Sequence, residues 1–512
     1  MTSEDLGSRP GPGWAAWFLP ALALLFYLVT FEGYGVFRDE LYYVACGRHL
    51  GWGYVDHPPF VALVAAIVDG LFGPSLFFLR LPVALALAAT VAVAGALARE
   101  LGGGRFAVLF GQFLVFSAPI YLAMSSYLSM NAFDILFWTL GAWLVARLCR
   151  TGDRRLWLAF GLLAGLALQN KLSFLFFGAG IVAALLLARR FDVLKSRELW
   201  LGGLVAGLIF APHVLWQIQN DFPTAEFMDN ARRYKNAALS PLSFILSHLF
   251  EHAGPVGGLF ALGGTAALVA GRRLKAFRAL GWAYPLIAAG LLLAGGAKAY
   301  YLAPILGLVL PAGAVAFEGL TARRRILRWS VVALTVALAG VAAPLAKPLL
   351  PVDTYVRYAA ALGQKPSTGE NKRLGRLPQF YADMHGWREM AEAVSGVYRA
   401  LPAAERERAC VFGQNYGEAG AIDFFRHEFD LPPAVSGHNH YYLWGPGTCT
   451  GEVVIVIGDD RETLATLFTT VELGAVFDCQ DCMPYEDDLP VWVARGLKGG
   501  IGQLWLRVKH YD

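Results

Sequence analysis

Residues 31–82 read FEGYGVFRDELYYVACGRHLGWGYVDHPPFVALVAAIVDGLFGPSLFFLRLP and lie between two long apolar runs. The stretch concentrates charged and titratable side chains, among them Arg38, Asp39, Glu40, Arg48, His49, Asp56, His57 and Arg80. Charge held at a membrane surface has a free-energy cost and usually has a purpose. This stretch therefore predicts a loop at a membrane surface that carries a catalytic or binding site.

The composition of the whole chain indicates an integral membrane protein. Of its 512 residues 56% are hydrophobic and 16% are charged, with a mean hydropathy of +0.47, a balance unlike that of a water-soluble domain of this size. The formal net charge of +4 is too small to indicate nucleic acid, and no basic tail is present. A nucleic-acid partner is therefore not predicted.

Apolar runs of near membrane-spanning length predict a polytopic α-helical membrane protein with about eleven spans. We place the spans at residues 14–30, 76–98, 106–124, 131–148, 156–170, 172–188, 199–217, 242–270, 279–295, 300–319 and 329–346. The first run has an acidic as well as basic leading segment and no convincing cleavage site, so we expect it to remain as an anchor.

Basic residues in alternate loops predict the orientation. They cluster in the loops that contain Arg99, Arg150, Arg190, Arg273 and Arg325. The positive-inside rule places those loops in the cytoplasm. The N-terminus is then cytoplasmic, and the loop 31–75 and the tail lie outside the cytoplasm.

The sequence divides into two regions, a transmembrane domain over residues 1–350 and a polar domain over residues 351–512. From Gly386 the tail predicts a helix, the strand ACVFG, the loop QNYGEAGAIDFF leading into a helix, and the strand EVVIVIGDD. This order is typical of an α/β layer. We therefore expect a compact extracytoplasmic α/β domain.

Cysteine and histidine pairs in the tail raise the question of a metal. Four of the six cysteines lie there, and an oxidising compartment would favour disulfides. The CxxC of Cys479 and Cys482 also suits half a zinc site, and His438 and His440 form an HxH pair. Since neither pair has a further ligand with suitable spacing, a divalent metal is not predicted.

Within the first loop, residues 40–50 predict a short helix, and residues 60–71 predict an interfacial helix that begins after Pro58 and Pro59. Asp39 then stands at a helix N-terminus that faces the bilayer surface. A helix cap is the structural alternative for an aspartate in this position.

Four segments together resemble the type C glycosyltransferases. They are RDELYYVACG at 38–47, YVDHPP at 54–59, GLALQNKLSFLFF at 165–177 and GGAKAYYLAPILGLVLPAGA at 295–314. The pattern is similar to the bacterial branch of the protein-mannosyltransferase and aminoarabinose-transferase superfamily, often called glycosyltransferase family 39. The resemblance covers most of the membrane domain.

The resemblance implies an acid that accepts the acceptor proton and basic residues that hold a lipid phosphate. The resemblance maps this acid to Asp39, with Glu40 as its neighbour. Sugar transfer from a phosphate requires a carboxylate base for the acceptor and cationic donors for the leaving phosphate. Residues expected at the donor phosphate or lipid are His57, Arg80, Lys171, Lys298, Tyr300 and Tyr301. His57 stands where relatives carry lysine, and Asn131 stands where many carry an acid; we expect Asp134 to make a structural contact.

Two groups of these residues have structural alternatives. Lys171 and Lys298 lie at the ends of apolar spans, where snorkelling to the interface is equally compatible with their positions. Tyr300 and Tyr301 suit an aromatic belt as well as a ligand site.

The implied function is an inverting glycosyltransferase of the bacterial inner membrane. It would move a monosaccharide from a polyprenyl-phosphate donor, within the membrane lipid, to a glycolipid, polysaccharide or protein acceptor. The alternatives are a transporter or flippase for lipid-linked sugars, and an inactive scaffold. The transporter alternative predicts internal repeats and charges at the bilayer midplane, whereas these charges collect at one face.

Overall fold

The computed structural model describes residues 13–512, and helices dominate it. The helices of the first 350 residues are α1 (Ala15–Val29), α2 (Arg38–Arg48), α3 (Phe60–Phe72), α4 (Leu76–Glu100), α5 (Arg105–Phe116), α6 (Pro119–Met124), α7 (Met130–Thr151), α8 (Leu156–Asn170), α9 (Phe174–Leu187), α10 (Phe191–Leu194), α11 (Arg197–Gln219), α12 (Pro223–Asn230), α13 (Pro241–Leu246), α14 (Pro255–Ala270), α15 (Arg278–Ala294), α16 (Leu306–Leu320) and α17 (Arg325–Ala346). Irregular helical turns occupy Ala231–Lys235, Ser247–His252, Lys275–Phe277 and Ala299–Ile305.

Among the described residues, six helical segments are long and apolar enough to cross a membrane. They are Leu76–Glu100, Met130–Thr151, Arg197–Gln219, Lys275–Ala294, Ala299–Leu320 and Arg325–Ala346. A seventh is counted if the bent pair Pro241–His252 and Pro255–Ala270 forms one span. The expected count of about eleven is therefore not confirmed, because several apolar runs form helices of only 10–17 residues.

Two of the expected spans are interrupted. The run 242–270 bends by 113°, at Gly254, whose φ of +77° ends one helix just before Pro255 begins the next. The run 106–124 divides at Ser117, and Pro119 starts α6. Hydropathy detects the apolar character of such runs but not the change of direction within them.

Small residues allow the membrane helices to pack closely. At the crossing of α8 and α11, a Cβ added to Gly161 would lie 2.1 Å from the carbonyl oxygen of Gly202. Helices in lipid associate largely through van der Waals packing at such close approach, because the hydrophobic effect contributes little to their association there.

After residue 350 the helices are α18 (Val352–Ala361), α19 (Gln379–Ala382), α20 (Trp387–Ala400), α21 (Ala403–Arg406), α22 (Tyr416–Phe429), α23 (His440–Trp444), α24 (Arg461–Leu467) and α25 (Ile501–Val508). The strands are β1 (Ala409–Phe412), β2 (Ala434–Val435), β3 (Val453–Ile457), β4 (Phe468–Phe477) and β5 (Leu489–Leu497). The expected helix, strand, helix and strand are thus present as α20, β1, α22 and β3.

The five strands form one sheet in the order β2-β1-β3-β5-β4. β1 pairs in parallel with β2 and β3, and β5 pairs antiparallel with β3 and β4. All five side chains of β3, VVIVI, are buried, as expected for a central strand covered on both faces. The sequence analysis did not predict the β4–β5 hairpin.

Disulfides join Cys410 to Cys449 and Cys479 to Cys482. The first connects β1 with the loop that leads into β3. The second confirms the disulfide interpretation of the CxxC pair.

Candidate active site

Asp39 lies in the first turn of α2, and it does not cap that helix. The cap contact comes from Glu40, whose Oε2 accepts the N–H of Phe37 at 2.9 Å. Asp39 Oδ1 instead accepts a hydrogen bond from the Tyr416 hydroxyl at 2.9 Å. Its side chain is 31% exposed, and no residue between 13 and 512 is seen to donate a hydrogen bond to Oδ2. This carboxylate is therefore held on one side and open on the other.

Glu40 is fully buried and forms an ion pair with Arg80. Arg80 Nε and Nη2 donate to the two carboxylate oxygens at 2.9 and 2.6 Å, and the Leu128 N–H donates to Oε1 at 2.8 Å. The remaining Arg80 hydrogens go to the carbonyl oxygens of Phe31, Glu32 and Gly35. All five N–H donors of Arg80 are used, so the geometry favours a structural role for both residues and not the expected catalytic and phosphate-binding ones.

Arg38 has donor capacity to spare. Its Nη1 donates to the Tyr485 hydroxyl at 2.6 Å, its Nη2 lies 3.7 Å from Asp383 Oδ2, and its Nε lies 4.0 Å from Asp39 Oδ1. The Nε atom is buried without a hydrogen-bond partner among the described residues. The Nε–H of Arg38 is therefore free to donate a hydrogen bond to an anion bound beside Asp39.

A cluster of cations surrounds one carboxylate next to Arg38. Lys298 Nζ donates to Glu370 Oε1 at 2.9 Å, and Lys235 Nζ lies 4.0 Å from the same oxygen. Burial raises the pKa of Glu370, but these lysines and Arg38 outweigh it and hold that pKa at about 2. Burial lowers the pKa of Lys235. The charge of Glu370 opposes this effect, and the charges of Arg38 and Lys298 add to it. The cluster is therefore an anion site whose present anion is a side chain.

Lys171 belongs to the same region. Its Nζ donates to Asn131 Oδ1 at 2.6 Å and lies 5.6 and 5.5 Å from the ring centres of Tyr300 and Tyr301. The charges of Lys171 and Lys298 act on each other, and the charge of Asp39 acts on the Tyr300 hydroxyl. The two tyrosines thus pack around a lysine beside the site, which an aromatic belt facing only lipid would not do.

Asp134 makes the structural contact expected of it. Ser173 Oγ lies 2.7 Å from both of its carboxylate oxygens, and Lys171 Nζ lies 3.9 Å away. It connects α7 with the start of α9.

His57 does not join the lysines. It is 1% exposed, and its ring packs against Tyr43 and Tyr54 with centroid distances of 5.0 and 4.7 Å. No hydrogen bond, ion pair or ring contact within residues 13–512 is seen to connect it with Lys171 or Lys298. Because its ring is buried against Tyr43 and Tyr54, the geometry does not group His57 with the lysines expected to hold a phosphate.

Three possible metal ligands lie together in the C-terminal domain: His438, His510 and Asp512. His440, the other half of the HxH pair, packs instead against Tyr54. His438 Nδ1 accepts the Tyr416 N–H at 3.3 Å, so the proton of the neutral ring is on Nε2, which faces Asp512 Oδ1 at 3.3 Å. Burial lowers the pKa of His438 to about 4, which keeps the ring neutral. We assign no metal to this group, and the expected absence of a metal stays a prediction.

A cavity of about 590 Å3 lies at the opposite end of α2, between the membrane domain and the C-terminal domain. Arg48, His49, Tyr441 and Trp444 contribute to its lining. It contains none of the site residues expected from the sequence.

The structure adds four residues to which the sequence analysis gave no role: Arg38, Lys235, Glu370 and Tyr416. Arg38 adjoins Asp39 in the first loop, and Tyr416 lies in the segment QNYGEAGAIDFF, which the sequence analysis used only to predict a loop and a helix. Lys235 and Glu370 lie more than 130 residues apart, the first between apolar runs and the second in the polar tail, and neither stands in a motif that could have marked it.

Residues 56–216 match the family model for dolichyl-phosphate-mannose-protein mannosyltransferases. The resemblance to the mannosyltransferase and aminoarabinose-transferase superfamily is confirmed. ArnT from Cupriavidus metallidurans bound to undecaprenyl phosphate is similar in fold, with a TM-score of 0.62, 16% identity, and coverage of 95% of this chain and 98% of that chain. The same protein in the apo state gives a TM-score of 0.61 with 15% identity over 94% and 98% of the two chains. No curated protein matches the sequence significantly. The type C glycosyltransferase fold thus extends over nearly the whole chain.

Proposed function

We propose that this protein is an inverting glycosyltransferase that moves a monosaccharide from a polyprenyl-phosphate donor to an acceptor hydroxyl. The observation that carries the proposal is the position of Asp39. Its half-open carboxylate adjoins Arg38, whose buried Nε has no hydrogen-bond partner among residues 13–512 and whose charge acts on the Lys235 and Glu370 cluster. A base and a phosphate site are thus neighbours.

In the proposed reaction, an acceptor hydroxyl transfers its proton to Asp39 Oδ2 as its oxygen attacks the anomeric carbon of the sugar. The bond between that carbon and the phosphate oxygen breaks, and the electron pair stays on the phosphate. Attack from the face opposite the leaving group inverts the anomeric centre. Arg38, Lys235, Lys298 and Lys171 stabilise the charge that develops on the departing phosphate.

The donor class follows from the cations and from the neighbouring structure. A compact cluster of lysine and arginine at the end of apolar helices suits a phosphate attached to a lipid chain. ArnT from Cupriavidus metallidurans, which shares the fold, was solved with undecaprenyl phosphate. We therefore assign a polyprenyl phosphate to the donor and leave a glycolipid, a polysaccharide and a protein as acceptor classes.

The proposed setting is the inner membrane of a bacterium. The N-terminus lies in the cytoplasm and the C-terminal domain outside it, as the alternation of basic loops indicates. Tyr416 of the C-terminal domain contacts Asp39 of the first loop, so the two must share one side of the membrane.

A transport assay separates this function from that of a flippase. Vesicles with the purified protein and radiolabelled polyprenyl-phosphate sugars are incubated with envelope acceptor fractions. Label covalently attached to an acceptor is the expected result. Label that crosses the bilayer still bonded to its lipid, with none on an acceptor, would replace the transferase proposal with the transporter.

A further inference from the structure

The base proposed for the membrane domain is held by a residue from the C-terminal domain. Tyr416 is the first residue of α22, and the preceding Asn415 caps that helix by accepting the N–H groups of Gly417 and Glu418 at 2.8 and 3.1 Å. An N-cap of this kind fixes the first turn. The phenol therefore projects from a rigid helix start and not from a loose loop.

Helix α22 packs against α2 through two glycines on one face. A Cβ added to Gly417 would lie 2.7 Å from Arg38 Cγ, and one added to Gly420 would lie 3.0 Å from Leu41 Cβ. Residues three apart share a helix face. The close approach of the helices, which larger residues would prevent, brings the Tyr416 hydroxyl within reach of Asp39.

The Tyr416 side chain is 6% exposed and closely surrounded. Its ring centre lies 4.8 Å from that of Tyr42, and the Arg38 guanidinium lies 5.2 Å from it. Burial raises the pKa of Tyr416 far above its ordinary value, although Arg38 opposes that effect. The phenol is therefore protonated and donates its hydrogen to Asp39.

We propose that Tyr416 is a positioning residue for the base, because its hydrogen bond to Asp39 Oδ1 directs Oδ2 toward the acceptor. The inference rests on the proposed function, since it requires Asp39 to be the base. It makes the C-terminal domain a structural part of the active site and not an accessory to it.

Loss of this hydrogen bond has a recognisable effect on pH dependence. A carboxylate that loses a donor is protonated more easily, so the acid limb of the rate profile moves to higher pH. Other charged or titratable groups also act on Asp39: Arg38, Tyr43, Asp56, Tyr127, Tyr300 and Asp383. All of them remain in a Tyr416→Phe variant, so a difference in profile reports the missing hydroxyl.

The test compares Tyr416→Phe with Tyr441→Phe. Tyr441 is also buried in this domain and donates to a carboxylate, that of Asp423 at 2.7 Å, but it does not touch Asp39. With radiolabelled polyprenyl-phosphate sugar as donor, we expect Tyr416→Phe to lower kcat about 10- to 100-fold and to move the acid limb up by about one pH unit. Tyr441→Phe is expected to keep the wild-type profile.

Fluorotyrosine at position 416 provides a second measurement that preserves the shape of the residue. Its more acidic phenol is a stronger donor, so the acid limb is expected to move down in pH. An unchanged kcat and profile in Tyr416→Phe, or an unmoved limb with fluorotyrosine, would overturn the inference. The proposed function is judged separately by Asp39→Asn: an inactive Asp39→Asn with a normal Tyr416→Phe refutes only the positioning role, and an active Asp39→Asn refutes the base itself.

Discussion

Asp39 and Glu40 are adjacent carboxylates with opposite surroundings. Glu40 is buried against Arg80, whereas Asp39 is partly exposed and accepts a hydrogen bond from the Tyr416 hydroxyl. Because α2 turns by about 100° per residue, neighbours in its first turn face different partners. A motif match assigned both residues to the reaction, and only the three-dimensional contacts separate them.

Asp39→Asn tests the proposed base. The amide keeps the shape of the side chain but cannot accept the acceptor proton, so we expect transfer to fall about 10²- to 10⁴-fold while donor binding persists. Asp56→Asn is the matched comparison, since Asp56 lies close enough for Asp39 to act on its pKa, which burial raises. Near wild-type turnover in Asp39→Asn together with loss in Asp56→Asn would assign the base to Asp56.

Glu40→Ala tests the structural assignment of the buried ion pair. It leaves the Arg80 guanidinium unpaired, and removal of one partner of a buried pair costs about 3–5 kcal/mol. We expect a large drop in the melting temperature of the purified protein. Glu452→Ala, which breaks the exposed pair with Arg408, is expected to change it little. A stable Glu40→Ala variant without activity would instead support the catalytic role.

At the scale of elements, the segment between α18 and α19 pairs with the chain around Lys235 and Asn236, beside the cluster of Lys235, Lys298 and Glu370. Glu370 and Asn236 form an isolated antiparallel bridge, and Asn371 N–H donates to the Lys235 carbonyl oxygen at 2.9 Å. This pairing places the Glu370 carboxylate against Lys298 and Lys235, the lysines proposed to hold the donor phosphate.

Glu370→Gln is expected to strengthen donor binding. It removes the side-chain anion with which the donor phosphate competes for Lys298 and Lys235, so the KM for the donor should fall about 10-fold with little change in kcat. Lys298→Met is expected to act in the opposite direction. Glu226→Gln, which breaks the exposed pair with Lys509 away from Glu370, is the control. A higher KM in Glu370→Gln would show that Glu370 organises the lysines instead of competing for them.

Because Glu418 and Glu486 are buried together, we expect the free energy of unfolding of the C-terminal domain to depend on pH. Burial raises the pKa of Glu486 to about 7, and the Glu418 carboxyl is buried beside it. From about pH 4.5 to 7 the folded state keeps a proton that the unfolded chain releases, so the free energy of unfolding falls as the pH rises.

Glu486→Gln, which is neutral throughout, is expected to reduce this fall. Melting temperatures at pH 5 and pH 7.5 would measure it, with the more exposed Glu428→Gln as the comparison. Parallel wild-type and Glu486→Gln curves would contradict the assignment.

At the scale of the whole molecule, the orientation is open to a labelling test. Leu50→Cys and Asp430→Cys place thiols on exposed positions of the first loop and of the C-terminal domain, in a Cys149→Ser background where Cys46 is buried. We expect an impermeant reagent to label both from outside the cell and to leave Arg325→Cys unlabelled. Labelling of positions 50 and 430 from opposite sides is incompatible with the contact between Tyr416 and Asp39.

Sequence analysis could predict helices α2 and α3, the membrane character and the α/β order of the tail, because periodicity and composition are local properties. Its count of about eleven spans is not confirmed, since several apolar runs form helices of only 10–17 residues. It gave Asp39, Lys171 and Lys298 roles that stay predictions, and it gave none to Lys235 or Glu370, whose contacts join segments distant in the sequence. For His57 the motif suggested a phosphate ligand, but a position in a motif does not reveal that the ring is buried against Tyr43 and Tyr54.

The glycine contacts between α2 and α22 have a consequence for how such proteins diverge. Because Gly417 touches Arg38 and Gly420 touches Leu41, a larger side chain in one helix requires room in the other. Positions 38–42 and 416–420 are therefore constrained to vary together, although more than 370 residues separate them. A chimera that combines the membrane domain of one relative with the C-terminal domain of another needs both helices from the same parent.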